Sequence, residues 1–176
     1  MSGLGPPIWS ERVYDGEIVR LRISDYRRPS GVVVRREVIE HPGAVVMVPV
    51  EDEHVLLVRQ PREAVEEHLL ELPAGKRDHP GEEPLDAARR ELAEEIGRAA
   101  GAWRDLGGFY TAPAILTEFI FCFMATELTP MPAVAEPDEE IEVVRWPLAR
   151  LGELIAEVHD AKTLIGLLRL ARELGV

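Results

Sequence analysis

The 176-residue chain contains a single cysteine, Cys122, so no disulfide can close within it. That fits a reducing compartment. Cys122 lies in the apolar run 119–124 and reads as a buried, inert thiol. No stretch approaches the ~20 apolar residues of a membrane-spanning helix. Residues 1–7 lack both the basic region and the apolar core of a secretory leader, so a cytoplasmic protein is expected. Positive charge is scarce: 20 Lys and Arg against 32 Asp and Glu leave a formal net charge of −12. That balance argues against a nucleic-acid binder, which needs a basic face. It argues equally against docking on an anionic membrane. The five histidines are scattered without metal-ligand spacing, and neither an internal repeat nor a low-complexity tract is found. An anionic substrate stays open, because a divalent cation reverses the local charge of a carboxylate site.

What is present is a globular composition, 46% hydrophobic and 30% charged, at the length of about one domain. Residues 13–40 are rich in β-branched side chains and broken by Pro29-Ser30-Gly31, which predicts two or three strands around a turn. Residues 43–50 (GAVVMVPV) form a buried strand. Glu51-Asp52-Glu53 is a three-residue hairpin loop to a strand over 54–60. A short apolar piece, 69–72, precedes Pro73-Ala74-Gly75 and a polar loop over 76–83. Pro84 suits the first helical position, Leu85, Ala88, Leu92 and Ile96 form one apolar stripe, and Gly97 suits the C′ position. The predicted helix is therefore Pro84–Ile96. Further on come strands over 119–126 and 140–146 around a Pro-rich loop at 130–137, then helices over 151–158 and 161–174. Strands and helices without regular alternation indicate an α+β fold.

On the face of the 84–96 helix opposite the apolar stripe stand Arg90, Glu91, Glu94 and Glu95. Glu91 is a neighbour of Glu94 and Glu95 at three- and four-residue spacing, with Cβ atoms ~5–6 Å apart. Adjacent carboxylates repel, and a hard divalent cation removes that penalty by taking oxygen ligands. Arg90 cannot be a ligand and is expected to pair with a neighbouring carboxylate and fix its direction. Taken alone, the cluster fits either a solvated charged face or a cation site.

Read with its surroundings, Gly75…Glu82…Arg90-Glu91-Leu92-Ala93-Glu94-Glu95-Ile96-Gly97 resembles the Nudix box, G-x5-E-x7-R-E-U-x-E-E-x-G-U. Seven residues separate Glu82 from Arg90, as in the motif, but six rather than five separate Gly75 from Glu82. Arg98 stands where the motif has an apolar residue. The resemblance implies an α/β/α sandwich with a mixed sheet, spanning 41–176. Residues 1–40 would form a small N-terminal β region for dimerisation and substrate contact. It implies metal-dependent hydrolysis of a nucleoside diphosphate linked to another moiety, with Mg²⁺ (or Mn²⁺) on Glu91, Glu95 and the Ala74 carbonyl. Glu94 would ligate a further metal or assist the water, and Glu82 is a further ligand candidate.

Three stretches resemble the ADP-ribose pyrophosphatase branch of that family. They are Val58-Arg59-Gln60-Pro61-Arg62 leading to Leu70-Glu71-Leu72-Pro73-Ala74-Gly75-Lys76, then Pro113 fifteen residues beyond Arg98, then 111–118 ending on Glu118. Ala114 and Ile115 replace the branch's usual Gly and Phe. By this resemblance Glu118 is the base for the attacking water, or else a solvent-facing residue at a strand start. Arg35 and Arg62 are substrate-contacting arginines, or else surface charges, and Glu71 is a further substrate contact. Trp9, Tyr14 and Tyr26 are either adenine-stacking aromatics or plain packing; Trp103 and Trp146 pack in the core. The implied substrate is ADP-ribose or a related nucleoside diphosphate sugar, cleaved to AMP and ribose 5-phosphate by a homodimer. Other nucleotide sugars, NADH, and a sensing module without turnover are the alternatives.

Overall fold

In a computed structural model of the chain, the described residues are 5–16, 19–77, 79, 81–132 and 140–176. They divide into two compact units, one comprising 1–43 with 110–119, the other 44–109 with 120–176. In the first unit, β1 (Trp9–Asp15), β2 (Arg20–Arg27) and β3 (Val33–Glu40) form an antiparallel sheet in that order. The predicted Pro29-Ser30-Gly31 turn joins β2 to β3, and Gly31 carries the positive φ (88°) that a side chain would resist.

The second unit holds β4 (Ala44–Glu51), β5 (His54–Arg62), β6 (Glu67–Glu71), β7 (Ala74–Lys76), β8 (Arg98–Tyr110, whose last residue belongs to the first unit), β9 (Phe119–Pro130, whose first residue does) and β10 (Glu142–Pro147). Its helices are α1 (Pro84–Ile96), α2 (Leu151–Glu157), which follows a short 3₁₀ turn, and α3 (Ala161–Leu174). The strand order is β10-β5-β4-β9-β8, with β6 beside β5 and β7 beside β4. The sheet is mixed, since β9 runs parallel to β4 while β5 and β7 pair with β4 antiparallel.

The apolar run of β4 is continuous because both faces of the sheet are covered. Val46 and Val48 point to one core with Val55 and Leu57 of β5, against Leu154, Leu167 and Leu170 of α2 and α3. Val45 and Met47 point to the other with Leu56 and Val58, against Ala87, Ala88, Leu92 and Ile96 of α1. A strand alternates faces with period two. Two covered faces therefore turn the usual polar–apolar alternation into one unbroken hydrophobic stretch. This is an α+β sandwich with α1 on one face and α2 and α3 on the other. Cys122 is buried within it, and burial pushes its thiol up to about 11, as expected of an inert group.

Several elements differ from the sequence reading. The β4–β5 loop has two residues, not three, since Glu51 pairs with His54. Asp52 and Glu53 both take positive φ (47° and 62°), the turn whose twist suits a two-residue hairpin. The strand predicted over 54–60 runs on to Arg62, because β6 supplies it with a partner. Strand β8 was not expected: small residues and glycines at 101, 107 and 108 mask its period. Gly107 adopts φ 85° within it. The loop at 76–83 and the Pro-rich loop at 130–137 fall partly outside the described residues.

Helix α3 fixes the segment that leads into the site. Asp160 caps it, accepting from the Thr163 N–H at 2.9 Å, and the buried Thr163 hydroxyl accepts from the Leu72 N–H at 2.8 Å. One turn on, Gly166 packs against Leu72 so closely that a Cβ would overlap the Leu72 methyl. Gly→Ala in an open helix stabilises by roughly 1 kcal/mol. Here Leu72 is fully buried, so overpacking dominates. Gly166→Ala is expected to destabilise by about 1–2 kcal/mol in urea unfolding; unchanged or raised stability would contradict this packing.

Candidate active site

The site in the second unit is built where the backbone at 72–75 passes between β4 and α1. The Met47 N–H donates to the Pro73 carbonyl at 2.9 Å. Strand β7 then pairs Ala74 with Val46 and Gly75 with Val45. From the other side, the Ala74 N–H donates to Glu95 Oε2 at 3.0 Å. Glu91 lies over Gly75, and any Cβ there would fall inside the Glu91 carboxylate. Gly75 is therefore required for close approach rather than for an unusual φ. Two carboxylates one helical turn apart thus bracket the same two residues of backbone.

Glu95 corrects the sequence reading in one respect. It is not opposite the apolar stripe but at its edge, and it is 8% exposed. Its position three residues after Leu92 and seven after Ala88 places it there. The bond from Ala74 satisfies part of its need for donors. An ionised group at such depth is otherwise costly.

Arg90 is the hub of the remaining carboxylates, as its expected pairing role requires. Its Nε donates to Glu82 at 3.0 Å, and its Nη1 to Glu91 at 2.8 Å and Glu94 at 2.9 Å. Its Nη2 reaches the Lys76 carbonyl at 3.1 Å. The bond to Glu82, with the charge of Glu91 and the bonds to Glu91 and Glu94 beside it, raises the guanidinium pKa above its ordinary value, and burial opposes this only in part. The repulsion among Glu82, Glu91 and Glu94 is therefore relieved within the chain. Among the described residues, no three His, Cys, Asp or Glu side chains close into a ready cage. The donors are nonetheless all oxygens, as Mg²⁺ or Mn²⁺ prefers, and Gly75 leaves the Glu91 carboxylate its place against the backbone.

The departure from the box at Arg98 has a structural reason. Arg98 donates to Glu51 at the end of β4 at 2.9 Å, and Glu51 also receives Arg145 at 2.7 Å. An ion pair takes the place of an apolar contact. Arg98 first, and Arg145 with it, hold the Glu51 carboxyl below its ordinary value against the cost of burial.

Arg62 and Glu71 form a two-bond pair, Nε to Oε1 at 2.8 Å and Nη2 to Oε2 at 2.7 Å. Lys162 of α3 joins Glu71 at 2.5 Å and Asp160 at 3.0 Å. Glu71 is 1% exposed. Burial pushes its carboxyl upward, but Arg62 and Lys162 outweigh this and hold it below the ordinary range. Lys162 was not singled out in the sequence; one lysine early in a helix carries no sign of a buried partner.

In the first unit, Arg35 grips Asp25 through two bonds of 2.8 and 2.9 Å and lies 5.3 Å from the centre of the exposed Trp9 ring. Tyr14 is exposed as well. Glu118 Oε2 accepts from the Thr111 hydroxyl at 2.7 Å, and Oε1 lies 3.5 Å from His41 Nε2. Thr111 and His41 were likewise not singled out as site residues. Trp103 meets Phe123 edge-on at the α1 core, and Trp146 packs against the other.

With Arg90 bridging three carboxylates, Arg90→Met is expected to lower stability by about 2 kcal/mol. Arg90→Lys should restore little, because an ammonium lacks the planar fork that serves several acceptors. Thermal unfolding of both variants checks this; full recovery in the lysine variant would show that charge alone suffices.

A model of the NUDIX domain matches residues 40–165. An ADP-ribose pyrophosphatase of Bacillus subtilis (strain 168) is 37% identical over 89% of this chain and 86% of its own length. A methanol dehydrogenase activator of Bacillus methanolicus is 32% identical over 90% of this chain and 88% of its own. A solved structure of an ADP compounds hydrolase superposes with TM-score 0.86 at 27% identity, covering 99% of this chain and 97% of that one. The matched region contains α1 with its carboxylates and the glycine beneath them, and the chain belongs to the Nudix hydrolase family.

Proposed function

We propose that the protein hydrolyses the pyrophosphate bond of ADP-ribose or a closely related ADP-sugar. With ADP-ribose, one water is consumed and AMP and ribose 5-phosphate are released. The observation that carries this reading is the bracketing of Ala74 and Gly75 by Glu95 and Glu91. The names of the B. subtilis relative and of the structural neighbour, both for ADP compounds, support the substrate class.

In this reading Glu91, Glu95 and the Ala74 carbonyl hold Mg²⁺ or Mn²⁺, with Glu94 and Glu82 as further oxygen donors. When bound, such an ion neutralises diphosphate oxygens and lowers the pKa of a bound water. Glu118 takes the proton of the attacking water, and a carboxylate suits that role. Arg62 and Arg35 contact the anionic substrate. Glu71, with both oxygens engaged by Arg62 and Lys162, acts on it through Arg62, by fixing the direction of the guanidinium. The protein works as a cytoplasmic homodimer. The exposed Ile8, Trp9, Val13 and Tyr14 on and beside β1 support self-association, since clustered apolar exposure marks interaction surfaces. Among the described residues no helix is long and apolar enough to cross a membrane.

The test is a product assay of purified protein with Mg²⁺ against a panel of nucleoside diphosphate compounds. AMP and ribose 5-phosphate from ADP-ribose are expected, with turnover lost in Glu91→Gln and Glu95→Gln at unchanged circular dichroism. No AMP from ADP-ribose, with another nucleotide sugar or NADH cleaved instead, overturns the substrate. No turnover of any diphosphate favours a sensing module.

A further inference from the structure

The segment 111–118 is fastened to the end of β3. The Ile39 N–H donates to the Ile115 carbonyl at 2.8 Å, and the Thr117 N–H to the Ile39 carbonyl at 3.0 Å. Next to this bridge, the His41 N–H donates to the Thr117 hydroxyl at 2.8 Å. His41 and Glu118 are thus brought side by side by the bonds that Ile39 and His41 make with 115 and 117. The two side chains are 17% and 18% exposed, shielded but not sealed.

The ring of His41 has a defined orientation. Its Nδ1 accepts the Gly43 N–H at 3.1 Å, so Nδ1 carries no proton. In a neutral imidazole the proton then sits on Nε2. That nitrogen faces Glu118 Oε1 at 3.5 Å. The opposite oxygen, Oε2, is held by the Thr111 hydroxyl at 2.7 Å. The carboxylate therefore has the Thr111 hydroxyl bonded to one oxygen and the His41 ring nitrogen beside the other, which restricts its plane and leaves lone pairs for a water. A contact of this length in a protein without substrate commonly tightens in the productive complex.

We propose that His41 is a positioning residue, acting through Nε2–H to orient the Glu118 carboxylate, with Gly43 setting the tautomer and Thr111 holding the second oxygen. The proposal rests on the reading of Glu118 as the base. Outer partners that orient metal ligands typically account for 10–100-fold, and an effect of the same order is expected for a partner that orients a base. His41→Ala is therefore expected to lower kcat on ADP-ribose roughly tenfold with KM within about twofold. His41→Gln, which keeps an N–H donor on the side chain, should recover most of the loss. In a Glu118→Ala background, the His41→Ala substitution should cost nothing further.

Unchanged kcat in His41→Ala, no recovery in His41→Gln, or costs that multiply in the double variant would each overturn the proposal. A measurement without turnover keeps it separate from the functional reading. The ¹⁵N shifts of the His41 ring should report a proton on Nε2 in the wild type and move in Glu118→Ala. A proton on Nδ1, or shifts indifferent to Glu118, would overturn it. Absence of ADP-ribose cleavage in the wild type would defeat the functional reading instead.

Discussion

The backbone at Ala74 and Gly75 is the point on which the site depends. It is pulled from one side by β4 and from the other by two carboxylates of α1. At Gly75 only the absence of a Cβ lets the Glu91 carboxylate rest against the backbone. The approach is maintained from further away. Asp160 caps α3, Thr163 binds the Leu72 N–H, and Gly166 lets Leu72 settle against α3. Two helices on opposite faces of the sheet therefore fix the same short stretch, so local positions in the site are set by the packing of the whole second unit.

Electrostatics follows from that geometry. A net charge of −12 suggests a molecule that repels anions, yet two relatives at 37% and 35% identity bear the name ADP-ribose pyrophosphatase, and ADP-ribose is an anion. The conflict is local, and so is its resolution. Arg90 gathers Glu82, Glu91 and Glu94 on one guanidinium. The cluster is thereby stable in the folded chain and still rich in the oxygen donors a divalent cation takes. Arg62, Glu71 and Lys162 form a second compensated group, buried more deeply. In the first group a planar guanidinium, with several donors in a fixed fork, orders carboxylates that would otherwise repel; in the second a guanidinium and an ammonium share one buried carboxylate.

Much of this could be read from the residues. Pro84, the Leu85–Ala88–Leu92–Ile96 stripe and Gly97 delimited α1 correctly, because helix ends have local chemical signatures. The box spacing brought the carboxylates to one helix. Other features depend on partners distant in the chain and leave no local trace. Strand β8 has an alternation blurred by glycines, and it is a strand because β9 lies beside it. By spacing alone Glu95 reads as outward-facing, and the Ala74 N–H that binds it comes from a strand 21 residues earlier. Lys162 and His41 have meaning only beside Glu71 and Glu118, 91 and 77 residues away. Arg98, a misfit in the motif, is explained by Glu51 at the far end of β4.

In the proposed function, Glu91 can serve a divalent cation only because Gly75 lets its carboxylate lie against the backbone. Mn²⁺ binding, followed by electron paramagnetic resonance, tests it most directly in wild type and Gly75→Ala. Because the added methyl meets the movable end of a side chain, the variant should fold with near-native thermal stability. Its Mn²⁺ affinity should fall by at least about tenfold, as expected when a carboxylate ligand is displaced. A folded Gly75→Ala protein that binds Mn²⁺ as tightly as the wild type would contradict the account.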